Sequence, residues 1–138
     1  MSIVQTQTTS FKAQLYQGIH DLTTDVIKIA LYTANASLNA DTTVYSSVDE
    51  VVATGYTAGG QTMTGITVNT SDYTAYVGFD NVSWTAALTA RCALIYNSSK
   101  GNKSVAVLDF GSDKTSTTTF LITMPSNTST TALIRSSN

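Results

Sequence analysis

The sequence predicts an all-β protein: an antiparallel β-sandwich, of jelly-roll type, with a short helix near its N-terminus. The chain holds 25 Thr and 16 Ser among 138 residues, whereas charged residues make up only 12%. Thr is branched at Cβ, so it favours strands over helices. From residue 26 onward, short apolar stretches that alternate with polar residues recur between turn residues, which is typical of half-buried strands.

The length and the apolar content predict one domain with a core of its own. A chain of 138 residues is close to the commonest domain size, and 42% of its residues are hydrophobic. We expect residues 1–24 to form an N-terminal arm with a short helix, and residues 25–138 to form a single β-sandwich domain. Residues 1–9 are polar and rich in Thr, which favours an extended arm or a frayed end.

The predicted helix begins with Ser10 as its N-cap. Phe11, Leu15 and Ile19 follow at four-residue spacing, which places them on one face of a helix of about three turns. Gly18 weakens the last turn by about 1 kcal/mol relative to Ala. A helix this short needs packing to persist, so we expect it to dock on the sandwich or on a partner.

The strands follow in order. Residues 26–32 alternate Ile27, Ile29 and Leu31 with Lys28, Ala30 and Tyr32, which predicts a half-buried strand, and residues 34–60 form a long connection. Residues 61–69 form a strand with Met63 and Val68 as core candidates and a bulge at Gly65. The remaining predicted strands are 75–79, 88–96 (the longest and a central one), 105–110, 117–124 and 132–135, with a hairpin turn over 97–103.

The sequence contains no recognisable catalytic or metal-binding constellation, so we expect no enzyme activity, no cofactor and no metal. His20 is the only histidine, and no Gly-x-Ser-x-Gly motif accompanies it. Cys92 is the only cysteine; it lies in an apolar run and is expected to be buried and inert. A calcium site built from scattered aspartates is the alternative, but their spacing matches no known calcium loop. These aspartates are Asp72, Asp80, Asp109 and Asp113.

Charge and hydropathy argue against two classes of partner. The net charge is −2 and the seven basic residues are scattered, so no basic patch for nucleic acid is expected. The chain has no run of 18 apolar residues, so no membrane span is expected. The first residues lack a basic start and an apolar stretch, which predicts synthesis and retention in a cytoplasm.

The aromatic residues leave two interpretations open. Trp84 and several tyrosines would provide a platform for stacking on a sugar, or they would pack in the core or in a protein interface. The tyrosines concerned are Tyr32, Tyr45, Tyr56, Tyr73 and Tyr76.

Five segments of the chain resemble a family of small virion proteins of tailed bacteriophages. They are residues 11–15 (FKAQL), 25–33 (DVIKIALYT), 55–60 (GYTAGG), 93–97 (ALIYN) and 106–111 (AVLDFG). The similarity covers residues 11 to about 135. It implies a structural part of the phage particle, and by analogy of size and fold it favours a capsid decoration, or cement, protein on the outside of the head.

That function predicts two partners, the major capsid protein and further copies of this chain as a dimer or trimer. A hydroxyl-rich surface with few charges does not repel copies of itself, which suits dense packing on a shell. The alternatives are a tail, neck or fibre component and a sugar-binding module for host recognition. The candidate interface residues are Phe11, Leu15, Ile19, Tyr32, Tyr56 and Trp84.

Overall fold

A computed structural model describes residues 3–137, which form ten β-strands and one α-helix. The helix α1 spans Thr9–Tyr16, and a short 3₁₀ turn spans Ser98–Lys100. The strands are β1 (Thr6–Gln7), β2 (Ile27–Tyr32), β3 (Gln61–Thr62), β4 (Thr67–Ser71), β5 (Thr74–Gly78), β6 (Val82–Trp84), β7 (Thr89–Asn97), β8 (Lys103–Thr115), β9 (Phe120–Ile122) and β10 (Ile134–Ser136).

The strands form three antiparallel sheets. The largest has the order β1-β8-β7-β2-β3, the second has the order β10-β5-β4, and the third pairs β6 with β9. The main core lies between the largest sheet and the two smaller ones, and it includes Ile29, Val77 and Phe120. The predicted all-β, sandwich-like class is therefore confirmed, whereas this strand order does not establish the expected jelly-roll topology.

The five-stranded sheet is buried on both faces, not on one as the alternation in residues 26–32 predicted. On one face Ile27, Ile29 and Leu31 enter the main core. On the other, Ala30 and Tyr32 join a second core with Cys92, Leu94, Tyr96 and Val107. Residues of the long connection 33–60 cover this second face, and Ala36 and Leu38 are buried against it.

The central position of the strand predicted over 88–96 is confirmed. Strand β7 pairs with β2 on one side and with β8 on the other. The predicted hairpin over 97–103 joins β7 to β8, and both Gly101 and Asn102 have positive φ there, at 67° and 61°. Glycine and asparagine tolerate this left-handed conformation best, so the local sequence determines the turn.

The segment predicted as one strand over 61–69 is two strands in different sheets. Strand β3 pairs with β2, and β4 pairs with β5. Gly65, between them, has φ of 63°, and a Cβ there would lie 2.2 Å from the Asp80 carboxylate. Gly65 therefore marks the crossing from one sheet to the other instead of a bulge, and Val68 is 49% exposed on β4 instead of in the core.

The N-terminal segment pairs with the rest of the chain from its first described residues, and is not a frayed end. Strand β1 pairs with β8, and the Val4 amide donates to the Leu38 carbonyl at 3.0 Å. The N-cap of α1 is Thr8, two residues before the predicted Ser10; its Oγ1 accepts the Phe11 amide. Only eight residues are helical, because the chain turns at Gly18.

Candidate functional site

Helix α1 and the three-stranded sheet leave an open groove of about 710 Å³ between them. Leu15 and Tyr16 of α1 line one side of this groove. Val68, Ala75 and Ile134 of the sheet line the other. We call this feature the α1 groove, and its lining is mainly apolar.

The α1 groove presents large side chains that the fold leaves unburied. Tyr16 is 92% exposed, Val68 49% and Leu15 40%. The charged groups at its border, Lys12 and Arg135 with Asp21 nearby, carry mixed signs. A concave surface with exposed apolar groups inside a polar border is typical of a site where another molecule docks.

The helix that forms one side of the groove is firmly attached to the five-stranded sheet. Phe11 is fully buried in the main core. The Thr8 amide donates to the Val105 carbonyl at 3.0 Å, and the hydroxyls of Thr8 and Ser104 lie 2.9 Å apart. The backbone that carries the exposed side chains of the helix is therefore fixed before any partner arrives.

Helix α1 ends in a Schellman motif at Gly18. The Ile19 amide donates to the Gln14 carbonyl at 3.0 Å, and the Gly18 amide donates to the Leu15 carbonyl at 3.2 Å. Gly18 has φ of 72°, a conformation that glycine adopts without strain. The same glycine that was expected to weaken the helix thus terminates it and directs the chain toward His20.

A buried polar network fixes the segment that follows α1. The side-chain amide of Asn97 lies 3.0 Å from His20 Nδ1 and donates to Asp25 Oδ2 at 2.7 Å. His20 Nε2 lies 2.8 Å from the Gln14 side-chain oxygen, and Lys100 pairs with Asp25 at 2.7 Å. Because the Asn97 amide donates, His20 Nδ1 accepts, so Nε2 carries the proton.

The ionisation of this network follows from its surroundings. Burial lowers the pKa of His20; Asp25 raises it, and Lys100 and Lys103 lower it further. For Asp25 burial acts to raise the pKa, but hydrogen bonds from Asn97 and Lys100 outweigh it and lower the pKa to about 2. Neutral His20 beside ionised Asp25 therefore holds the chain between α1 and β2 in one conformation.

The structure separates the six candidate interface residues into two groups. Leu15 is exposed in the α1 groove, and Ile19 is half-buried just after the helix. The other four are buried inside the chain, so they stabilise the fold and present no surface to a partner. They are Phe11, Tyr32, Tyr56 and Trp84.

Trp84 and Tyr56, two of the aromatic residues considered for a sugar platform, are buried in the core. Trp84 packs against Tyr56 and Phe120, with ring centroids 6.1 and 6.2 Å away. Tyr73, by contrast, is 97% exposed at the β4–β5 turn, and Tyr16 is exposed in the α1 groove. The exposed tyrosines are thus the ones that a partner would reach, and Tyr16 was not among the predicted site residues.

A second cluster that the sequence analysis missed surrounds Glu50, which is only 6% exposed. The hydroxyls of Tyr45 and Tyr56 each donate to its carboxylate at 2.5 Å, and the Gly59 amide donates at 2.8 Å. Burial and the hydrogen bond to Glu50 raise the pKa of both tyrosines. The cluster is sealed inside the connection 33–60, so its role is to hold that connection in place.

Three further features of residues 3–137 concern the thiol, metal-ligating groups and membrane spans. Cys92 is fully buried, and burial raises the pKa of its thiol to about 12. Residues 3–137 contain no group of three or more His, Cys, Asp or Glu side chains placed to hold a metal ion. None of the described helices has the length and apolar character needed to cross a membrane.

No protein-family model, curated protein or solved structure matches this chain. Its function is therefore inferred from the α1 groove and from the sequence.

Proposed function

We propose that the protein is a structural component of a tailed-phage virion, specifically a capsid decoration protein that binds the shell of major capsid protein. The observation that carries this proposal is the α1 groove, with Leu15, Tyr16 and Val68 exposed around it. A protein that acts by contact alone needs such a surface and no catalytic group. The expected occupant is an apolar segment of a capsid subunit.

The chemistry of the α1 groove suits protein recognition. Exposed tyrosines and apolar side chains in concave sites supply most of the binding energy in protein interfaces, while a polar border excludes water. Tyr16 and Leu15 lie on a helix whose Phe11 is anchored in the core, so binding orders their side chains without having to order the helix backbone.

The composition of the surface supports dense packing on a shell. With 12% charged residues and a net charge of −2, neighbouring copies experience little electrostatic repulsion. Each copy would bind weakly, and contacts among many copies would raise the total affinity. Binding to the mature shell alone would stabilise that state by mass action.

The resemblance to phage virion proteins supplies the identity of the partner. Three of the segments that carry it form β2, β7 and β8, the central strands of the largest sheet. A fourth, residues 11–15, lies in α1 beside the groove. The resemblance therefore involves both the scaffold and the helix that we assign to capsid binding.

The proposal is tested by adding the protein to expanded capsids that lack it and counting bound copies by quantitative mass spectrometry. Decoration predicts a fixed stoichiometry on the order of hundreds of copies per head and a higher temperature of shell failure. About six or twelve copies per particle would instead favour a neck or tail component. Absence of binding, together with absence from purified virions, would contradict both functions.

A matched pair of variants tests the groove itself. Tyr16→Ser and Tyr73→Ser each remove a tyrosine that is more than nine-tenths exposed, so neither should change folding. Only Tyr16 lines the α1 groove. We expect Tyr16→Ser to weaken capsid binding by at least about tenfold and Tyr73→Ser to leave it within about twofold of wild type. Equal effects of the two variants would place the contact elsewhere.

A further inference from the structure

We propose that β4 pairs with β4 of a second copy of this chain in antiparallel orientation, joining two three-stranded sheets into one across a two-fold axis. The proposal is independent of the capsid-binding role, because it concerns the edge of the sheet and the association of identical chains in solution. It specifies the surface and the register of a homodimer.

Strand β4 is an unprotected sheet edge. Within residues 3–137 it pairs with β5 alone, and all five of its residues are in continuous register with that neighbour. Its sequence, Thr-Val-Asn-Thr-Ser, has no charge and no proline, and three of its residues are exposed. Monomeric proteins usually blunt such edges with charges, proline, bulges or short strands, because unpaired backbone groups recruit another strand.

The other sheet edges of the described chain carry that protection. Strands β1 and β3 at the edges of the largest sheet have two residues each, and β6, β9 and β10 have three each. The distal half of β8 extends beyond β1, but it contains Asp113 and Lys114 and has positive φ of 81° at Gly111. The contrast identifies β4 as the edge best suited to pairing.

The hairpin geometry shows which backbone groups are available. Asp72 and Tyr73 have φ of 49° and 68°, as in a two-residue type I′ turn, so the flanking Ser71 and Thr74 form a hydrogen-bonded pair. Hydrogen-bonded and non-bonded pairs alternate along an antiparallel ladder. Val68 and Thr70 therefore direct their N–H and C=O groups away from β5, toward the open edge.

These outward groups define one register for a symmetric pair. If Asn69 faces Asn69 of the second copy, Val68 of each chain lies opposite Thr70 of the other, and about four backbone hydrogen bonds form. No charge is brought next to a like charge. Each exposed Val68 side chain gains an apolar contact with the methyl group of a threonine, as in other cross-strand pairs.

The edge is also self-complementary, as a two-fold interface requires, since the same residues must serve both partners. Because Val68 also lines the α1 groove, the pairing would bring the two grooves onto one assembly. A decoration protein would then offer two docking sites per dimer, which raises affinity for a shell with repeated subunits.

Thr70→Pro in the full-length chain tests the pairing. Proline removes the outward N–H of Thr70 and none of the hydrogen bonds to β5, which is the situation in which edge strands tolerate it. Sedimentation equilibrium of the wild type should give a concentration-dependent dimer, and Thr70→Pro should raise the dimer Kd by at least about tenfold. A wild type that stays monomeric, or a proline variant that dimerises equally well, would overturn the proposal.

A second variant and a control keep the test decisive if the proline variant misfolds. Val68→Lys places a positive charge on each side of the two-fold axis and should give the same loss of dimer, reduced by added salt. Leu121→Lys changes another exposed apolar residue, on β9, and should leave the dimer intact. Loss of the dimer in Leu121→Lys with its retention in Val68→Lys would place the interface on the β6–β9 sheet and overturn the proposal.

Discussion

The hydroxyl of Tyr56 joins the chain's only glutamate, Glu50, to strand β2 of the five-stranded sheet. It donates to Glu50 at 2.5 Å and accepts the Leu31 amide of β2 at 2.9 Å. Glu50 in turn binds the Tyr45 hydroxyl and the Gly59 amide, so one carboxylate holds both ends of the segment 45–59 within the connection. This contact converts an irregular segment into a fixed part of the fold.

Replacing Tyr56 with Phe should therefore lower the free energy of unfolding by about 1–3 kcal/mol, because the buried Glu50 oxygen and Leu31 amide each lose a partner. Urea denaturation followed by tryptophan fluorescence measures the change. Tyr73→Phe removes a hydroxyl from a residue that is 97% exposed, so it should leave the free energy of unfolding unchanged. Equal stability of Tyr56→Phe and wild type would contradict the structural role.

Substitutions at two residues of α1 should lower the free energy of unfolding by different amounts. Phe11→Ala empties a fully buried position and should cost about 3–5 kcal/mol of folding stability. Leu15→Asp should cost only about 1 kcal/mol, because Leu15 is 40% exposed and the new carboxylate stays hydrated. Thermal unfolding of the two variants measures both costs. In a separate binding assay, Leu15→Asp should lose capsid binding.

Mild acid should destabilise the protein through His20. Its pKa is lowered in the folded state from the ordinary value of 6.5, so the unfolded chain takes up a proton that the folded chain resists. Stability is then full above about pH 6.5 and decreases as the pH falls below it. The N–H that would form on Nδ1 would face the Asn97 amide, which also donates.

The free energy of unfolding measured between about pH 7.5 and pH 5.5 checks this dependence. His20→Gln removes the titrating group and should flatten the profile over that range. Asp25 does not interfere: its lowered pKa of about 2 contributes stability that is present above the ordinary value of 3.8 and is lost as the pH falls through about 2. A wild-type profile as flat as that of the variant would contradict the assignment.

Cys92 should resist thiol reagents in the native state. The side chain is fully buried in the second core, and burial raises its pKa to about 12, so almost no thiolate forms at neutral pH. Labelling with a chromogenic disulfide reagent should occur only after denaturation. Rapid stoichiometric labelling of the native protein would show that the second core opens readily.

The sequence predicted the elements that carry strong local signals. Alternating apolar residues located β2 and β9, a continuous apolar run located β7, and Gly101 located the β7–β8 hairpin. These signals are local, because apolar runs and alternation are formed by adjacent residues and the left-handed turn reflects the residue itself. Strand β6 and the two-residue strand β1 escaped prediction because so few residues do not establish a period, and β3 was predicted only as part of the single strand 61–69.

The parts that sequence reasoning missed depend on contacts distant in the chain. Val68 was predicted as a core residue together with Met63, but the crossing at Gly65 moved it to the edge of another sheet. Tyr56 was an interface candidate, although its hydroxyl satisfies a backbone amide in β2. One sequence feature could have pointed to the burial of Glu50: it is the only glutamate in the chain, and it directly precedes two valines.

The irregular connection over the second face of the sheet has a consequence for folding cooperativity. Its buried residues Ala36 and Leu38 complete a core whose other members belong to β2, β7 and β8, so this segment and those strands stabilise each other. In hydrogen exchange, the amide of Val51, which donates to the Leu31 carbonyl, should therefore open with the central strands and not with the surface turns. A segment without regular secondary structure would then belong to the slowest-exchanging unit of the molecule.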